Sequence, residues 1–153
     1  MSSKSPEVLT PEQRLVFTTI PDNLSAQDMS LYYELSSQDK DFIYQHRGEN
    51  NSLGIALQLC TLRFPGRYLM QMISISEQLI VYMANQLELS PSAFADYGHR
   101  RKTPSDHFQS ICQQYGYCVC GKDEIMPLIR DLLPLAMEND EALPLVDAAM
   151  VWM

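Results

Sequence analysis

Residues 47–68 read RGENNSLGIALQLCTLRFPGRY, and the part from Ser52 to Phe64 decides the fold. Leu53, Ile55, Ala56, Leu57, Leu59, Cys60 and Leu62 fall on almost every side of a helix. Only Ser52, Gln58, Thr61 and Arg63 are left for a narrow polar face. A helix that is apolar nearly all round needs neighbours on every side, so this one is expected at the centre of a helical domain. Pro65-Gly66 stops it, and Asn50 or Asn51 is the expected N-cap, because Asn is a preferred residue there.

Outward from this helix the remaining segments also read as helical. Thr10-Pro11 with Gln13 is a capping-box start with proline at the first helical position, and Pro21-Asp22-Asn23 ends that short helix. Ser36 or Ser37 opens a helix through Asp39, Phe42, Ile43 and His46, stopped by Gly48. Ser76 opens one that runs to about Leu89, Ser90-Pro91 a short one with Phe94 and Tyr97, and Thr103-Pro104 one that ends at Gly116. Residues 122–138 and 140–152 read as two amphipathic helices interrupted by Pro127, Pro134 and Pro144. Residues 66–75 take the place of a linker but are too apolar for a flexible one. The expected fold is all-α, a bundle of two small helix-turn-helix-like subdomains, 1–68 and 69–153, the second truncated at its C-terminal end. A faint repeat supports two modules: Glu34-Leu35-Ser36 recurs as Glu88-Leu89-Ser90, each followed by a helix, an arginine and a second apolar helix.

The chain has 153 residues, 46% hydrophobic and 20% charged, which excludes intrinsic disorder and leaves enough apolar surface for a core. No apolar run reaches the ~20 residues of a membrane span, and the first residues have no secretory core, so a cytoplasmic location is expected. The net charge is −8, with −4 in residues 1–41, +1 in 42–118 and −5 in 119–153. Phosphate contact needs Lys and Arg. A DNA-binding face therefore belongs in the middle stretch, 42–118, where Arg47, Arg63, Arg67, Arg100, Arg101 and Lys102 lie.

The same stretch, 47–68, resembles the segment near the N-terminus of Tn3-family replicative transposases. There an Arg-Gly and an Asn precede a Leu-Gly-Phe-Ala-Leu-Gln-Leu core and a Leu-Arg-aromatic-Pro-Gly-Arg ending; Ile55 stands here in place of the aromatic. LTPEQR at 9–14, YELSSQDKDFI at 33–43 and NQLELSPSAFADYGHRRKTPSDHFQSICQQYGY at 85–117 are similar to the family in the same order. The resemblance implies a bacterial, nucleoid-associated region that binds the terminal inverted repeats of a transposon. It implies double-stranded DNA, the rest of the transposase and a second copy of the chain as partners, with no membrane and no cofactor. The family's catalytic domain, of the RNase H type with an acidic metal-binding triad, is expected outside these 153 residues, so the chain is not itself expected to be an enzyme.

Each candidate contact has a plainer reading beside it. Arg47, Asn50, Asn51 and Ser52 sit at a helix start, where free N–H groups suit a phosphate and Arg or Asn suits a base edge; the Asn residues could equally be caps. Arg63 and Arg67 flank Phe64-Pro65-Gly66 and suit phosphate, or pairing with carboxylates. His99, Arg100, Arg101 and Lys102, followed by Thr103 and Ser105, suit a backbone clamp, or a solvated loop. His107, Cys112, Cys118 and Cys120 do not read as a zinc site, since the C-x-C spacing is too short. Asp39 and Asp41 read as a solvated helix face. No Gly-rich phosphate loop, H-E-x-x-H or G-x-S-x-G is present. The alternative to DNA recognition is an interaction or assembly module of the transposase, suggested by the acidic ends.

Overall fold

A computed structural model describes residues 9–99 and 102–152. The chain is all-α among these residues, and they gather into two compact units. The larger is Val16–Tyr117; the smaller takes residues up to 15 and from 118 onward. The boundary expected between residues 68 and 69 falls inside the larger unit. Arg100 and Arg101 lie outside the described residues.

The first helix, α1 (Pro11–Thr18), begins with the expected box: Thr10 N donates to Gln13 Oε1 at 2.9 Å and Gln13 N to Thr10 Oγ1 at 3.2 Å. Next comes α2 (Ala26–Tyr33), which the sequence reading left unassigned. Its signal is another capping box, Ser25 with Asp28 at N3. Only Met29 and Tyr33 of its eight residues are buried, too few to give a clear apolar period in the sequence. A third box, Ser36 with Asp39, opens α3 (Ser37–Tyr44).

The central helix, α4 (Glu49–Arg63), buries every residue from Ser52 to Thr61. Leu53, Ile55, Leu57 and Leu59 are fully enclosed, each such side chain contributing about 1.5–3 kcal/mol of transfer free energy. Most of the narrow polar face is enclosed as well: Gln58 and Thr61 have no exposed surface, while Arg63 at the end of the helix keeps part of its own. A 3₁₀ turn (Leu69–Gln71) follows, and Leu69 anchors the apolar segment expected as a linker. Ile20 N donates to Ser74 O at 3.3 Å and Ile73 N to Thr18 O at 2.8 Å, tying that segment to the strand-like stretch after α1. The rest of this unit is α5 (Glu77–Gln86), capped by Ser76, a 3₁₀ segment (Pro91–Asp96) and α6 (Lys102–Tyr115). α4 packs against α2, α3, α5, α6 and both 3₁₀ segments, as an all-round apolar helix requires. The two copies of the faint repeat are built differently: Ser36 is followed by an α-helix and Ser90 by the 3₁₀ segment.

In the smaller unit, α7 (Lys122–Glu138) packs against α8 (Leu143–Trp152). α7 runs through Pro127 and Pro134 instead of breaking at them. Each proline withholds an N–H from the carbonyl four residues earlier. Ile125, Ile129, Leu133 and Met137 recur every fourth residue and are all exposed. No described helix is long and apolar enough to cross a membrane.

Candidate nucleic-acid interface

The two turns singled out separately in the sequence line one cleft of about 300 Å³. Asn50 and Asn51 come from the first turn of α4, Gly98 and His99 from the turn after the 3₁₀ segment, and Thr103 from the first turn of α6; Asp96 completes the lining. Their juxtaposition joins residues about 50 positions apart in the chain.

The start of α4 differs from the expected one. Gly48, not an asparagine, is the N-cap, at φ +95°, and its carbonyl accepts from Ser52 N at 2.9 Å. Only glycine takes that backbone conformation at no steric cost, so the helix begins two or three residues earlier than an N-cap at Asn50 or Asn51 would set it. Asn50 and Asn51 therefore stand inside the first turn, both half-buried, beside the free N–H groups of the helix end. Asn51 Nδ2 donates to Arg47 O at 2.7 Å, which fixes the exposed Arg47 against that end. Ser52 is corrected: it is buried, and its hydroxyl donates to His46 O at 3.3 Å.

On the other wall, Gly98 adopts φ +85°, letting the chain turn back immediately after the buried Tyr97. His99 is exposed, with Nε2 3.5 Å from Asp96 Oδ1. Lys102 and Ser105 are exposed on the first turn of α6, while Thr103 is half-buried.

Arg63 and Arg67 are not part of this cleft. Arg63 ends α4, twelve residues from Asn51, about 18 Å along the axis at helical rise. Its guanidinium forms a bidentate pair with Asp39, Nη1 to Oδ2 at 3.0 Å and Nη2 to Oδ1 at 2.7 Å. Of its two sequence readings, the carboxylate pairing is the one the structure has. Arg67 is exposed, and its backbone N donates to Thr61 O beyond the cis Phe64–Pro65 bond.

Three residues were misjudged or overlooked. Asp39, read as a solvated carboxylate, is buried. Burial would raise its pKa, but hydrogen bonds from Arg63, Tyr115 and Ser36 outweigh that and hold the carboxyl well below its usual range. The Ser36-x-x-Asp39 box was the available signal. Gln58 and Tyr97 had none, because their contact, Gln58 Nε2 to Tyr97 OH at 2.6 Å, spans 39 residues. Cys60 lies in the core, where burial pushes its thiol up to about 12; Cys118 and Cys120 are exposed. Among the described residues no three His, Cys, Asp or Glu side chains come together as a metal site.

A family described as a domain of unknown function (DUF4158) matches residues 8–153. The chain is 34% identical over 140 residues to the transposase for transposon Tn1546 of Enterococcus faecium, covering 92% of this chain and 14% of that protein. It is 32% identical over 143 residues to the transposase for transposon Tn501 of Pseudomonas aeruginosa, 94% of this chain and 14% of that protein. It is also 32% identical over 112 residues to the transposase for transposon gamma-delta of Escherichia coli (strain K12), 72% of this chain and 11% of that protein. The chain thus spans about 14% of the length of the first two relatives.

Proposed function

The chain belongs to the DUF4158 family and matches the N-terminal region of Tn3-family transposases, and from that membership we propose that it recognises the terminal inverted repeats of a transposon as duplex DNA. The observation that carries this reading is the cleft where the first turns of α4 and α6 meet. Asn50 and Asn51 offer amides that suit an adenine edge. Arg47, Lys102, Thr103 and Ser105, with Arg100 and Arg101 beside them in the sequence, supply the groups that hold phosphates. Ser52 and Arg63 drop out, one enclosed and the other paired with Asp39. In this reading the first turns of α4 and α6, and not the enclosed body of α4, face the duplex. Strand cleavage and joining belong to the remainder of a longer transposase, which acts in the bacterial cytoplasm on the nucleoid.

The test is a mobility-shift titration with a duplex carrying the inverted repeat of the element that encodes the chain, against a scrambled duplex. Four cations of the two turns remain for phosphate: Arg47, Arg100, Arg101 and Lys102. If all four engage, log affinity falls with log salt at a slope of roughly −3.6. Lys102→Ala should weaken both duplexes alike and lower that slope by about one unit. Asn50→Ala should instead narrow the gap between the two duplexes, by about 1–3 kcal/mol for a bidentate base contact. Binding that does not respond to salt would remove phosphate contact as its basis.

A second reading is favoured by one observation. The exposed row Ile125, Ile129, Leu133 and Met137 on α7 suits an assembly surface for the rest of the transposase or a second copy. No shift with either duplex, together with concentration-dependent association lost in Leu133→Glu, would move the assignment to that reading.

A further inference from the structure

We propose that Tyr97 is the positioning residue of the cleft, holding Gly98 and His99 beside the first turn of α4 and thereby setting discrimination between DNA sequences. The inference rests on the DNA reading above for its second half only. Its first half is geometric.

Tyr97 joins three elements at one hydroxyl. Gln58 Nε2, on α4, donates to Tyr97 OH at 2.6 Å and to Pro104 O, in the first turn of α6, at 2.8 Å. The opposite orientation of the Gln58 amide would set its oxygen against the Pro104 carbonyl, so the donor direction is fixed. Tyr97 OH also pairs with His107 Nδ1 at 3.0 Å, one turn further along α6. With the ring proton of His107 on Nε2, the hydroxyl accepts from Gln58 and donates to His107, linking α4 to α6 through one phenol.

The ring acts with the hydroxyl. It packs against the backbone of α4 at Gly54, which has no Cβ to hold it off. The next residue is Gly98, where the chain turns into the cleft wall. The phenol is thus the last fixed point before His99 and the basic cluster, and Pro104 and His107 are the first fixed points after it.

The test uses Tyr97→Phe, which keeps the ring and removes the hydroxyl, with His107→Gln and His107→Leu as a pair that keeps or removes the acceptor. Amide hydrogen exchange is measured on the free chain, and the affinity ratio of inverted-repeat to scrambled duplex on folded protein. In Tyr97→Phe and His107→Leu, exchange should rise in 98–103 while α5 keeps its protection. The affinity ratio should fall about fivefold, the factor matching the net worth of one hydrogen bond. His107→Gln should restore both. Unchanged exchange in 98–103, or an equal rise throughout the unit, would overturn the inference. If the parent chain does not discriminate between duplexes, the DNA reading fails, and the exchange measurements still decide whether Tyr97 positions the turn.

Discussion

Asp39→Ala should destabilise the larger unit by about 3 kcal/mol, the lower end for removing one partner of a buried ion pair. The lower end applies because the Arg63 side chain keeps 28% of its surface exposed, whereas that of Asp39 keeps 3%. The carboxylate is a junction of three helices. It caps α3 through Ser36 N at 2.8 Å, takes both guanidinium nitrogens of Arg63 from α4, and accepts from Tyr115 OH of α6 at 2.8 Å. The Arg63 guanidinium also lies 5.5 Å from the Tyr115 ring centroid. Removing the carboxylate leaves a guanidinium and a phenol without their shared acceptor, and an uncompensated donor costs more than the pair contributes.

The same residue fixes the response to acid. Its carboxyl is held below the usual range in the folded chain, so protons bind more tightly to the unfolded one. The stabilisation is therefore present above the unfolded carboxyl pKa, near ~3.9, and is lost as pH falls through and below it. Urea unfolding at pH 7 should show the full gap between the parent chain and Asp39→Ala, and at pH 2 a smaller one. An equal gap at both values would mean that the contacts of Asp39 do not depend on its charge.

What could be read from the sequence follows how local each cause is. The centrality of α4 was legible because it depends only on the order of apolar residues within one helix. The capping box at Thr10 and a helix start at Ser36 or Ser37 were legible for the same reason, while the box that Ser36 forms with Asp39 was not drawn from it. The true start of α4 was not, since it depends on the left-handed backbone of Gly48, and a glycine before a helix reads equally as the stop of the previous one. The polar residues of α4 were misplaced for a related reason. Periodicity marks Gln58, Thr61 and Arg63 as a face, but only distant partners decide whether that face meets water or a hydrogen-bonding interior. Here Tyr97, Pro104 and Asp39 supply the interior. The candidate site shares this limit. Each half of the cleft was found from its residue types, while their meeting depends on the packing of α4 against α6 and the 3₁₀ segment.

Gly54→Ala should have the opposite sign from an ordinary helix substitution. In an exposed helix interior, replacing glycine by alanine stabilises by about 1 kcal/mol, through backbone entropy. At Gly54 a Cβ would fall within the Tyr97 ring, overlapping its Cγ, Cδ2 and Cε2 atoms. The ring cannot swing away cheaply, because its hydroxyl is held by Gln58 and His107 and its faces lie against Phe94 and His107. Overpacking of this kind costs typically ~1–3 kcal/mol, and so deep an overlap belongs at the upper end. The net loss should be about 2 kcal/mol once the ~1 kcal/mol of helix propensity is set against it. The cause can be isolated with a second variant. In a Tyr97→Ala background the obstruction is gone, and Gly54→Ala should become neutral or stabilising by up to ~1 kcal/mol. The two substitutions would then show a coupling larger than the ~0.5 kcal/mol expected of independent sites. Denaturant unfolding of the four proteins measures this directly. If Gly54→Ala destabilises equally with and without the Tyr97 ring, the glycine serves something other than that contact, and the account of the cleft wall as a ring resting on bare backbone fails with it.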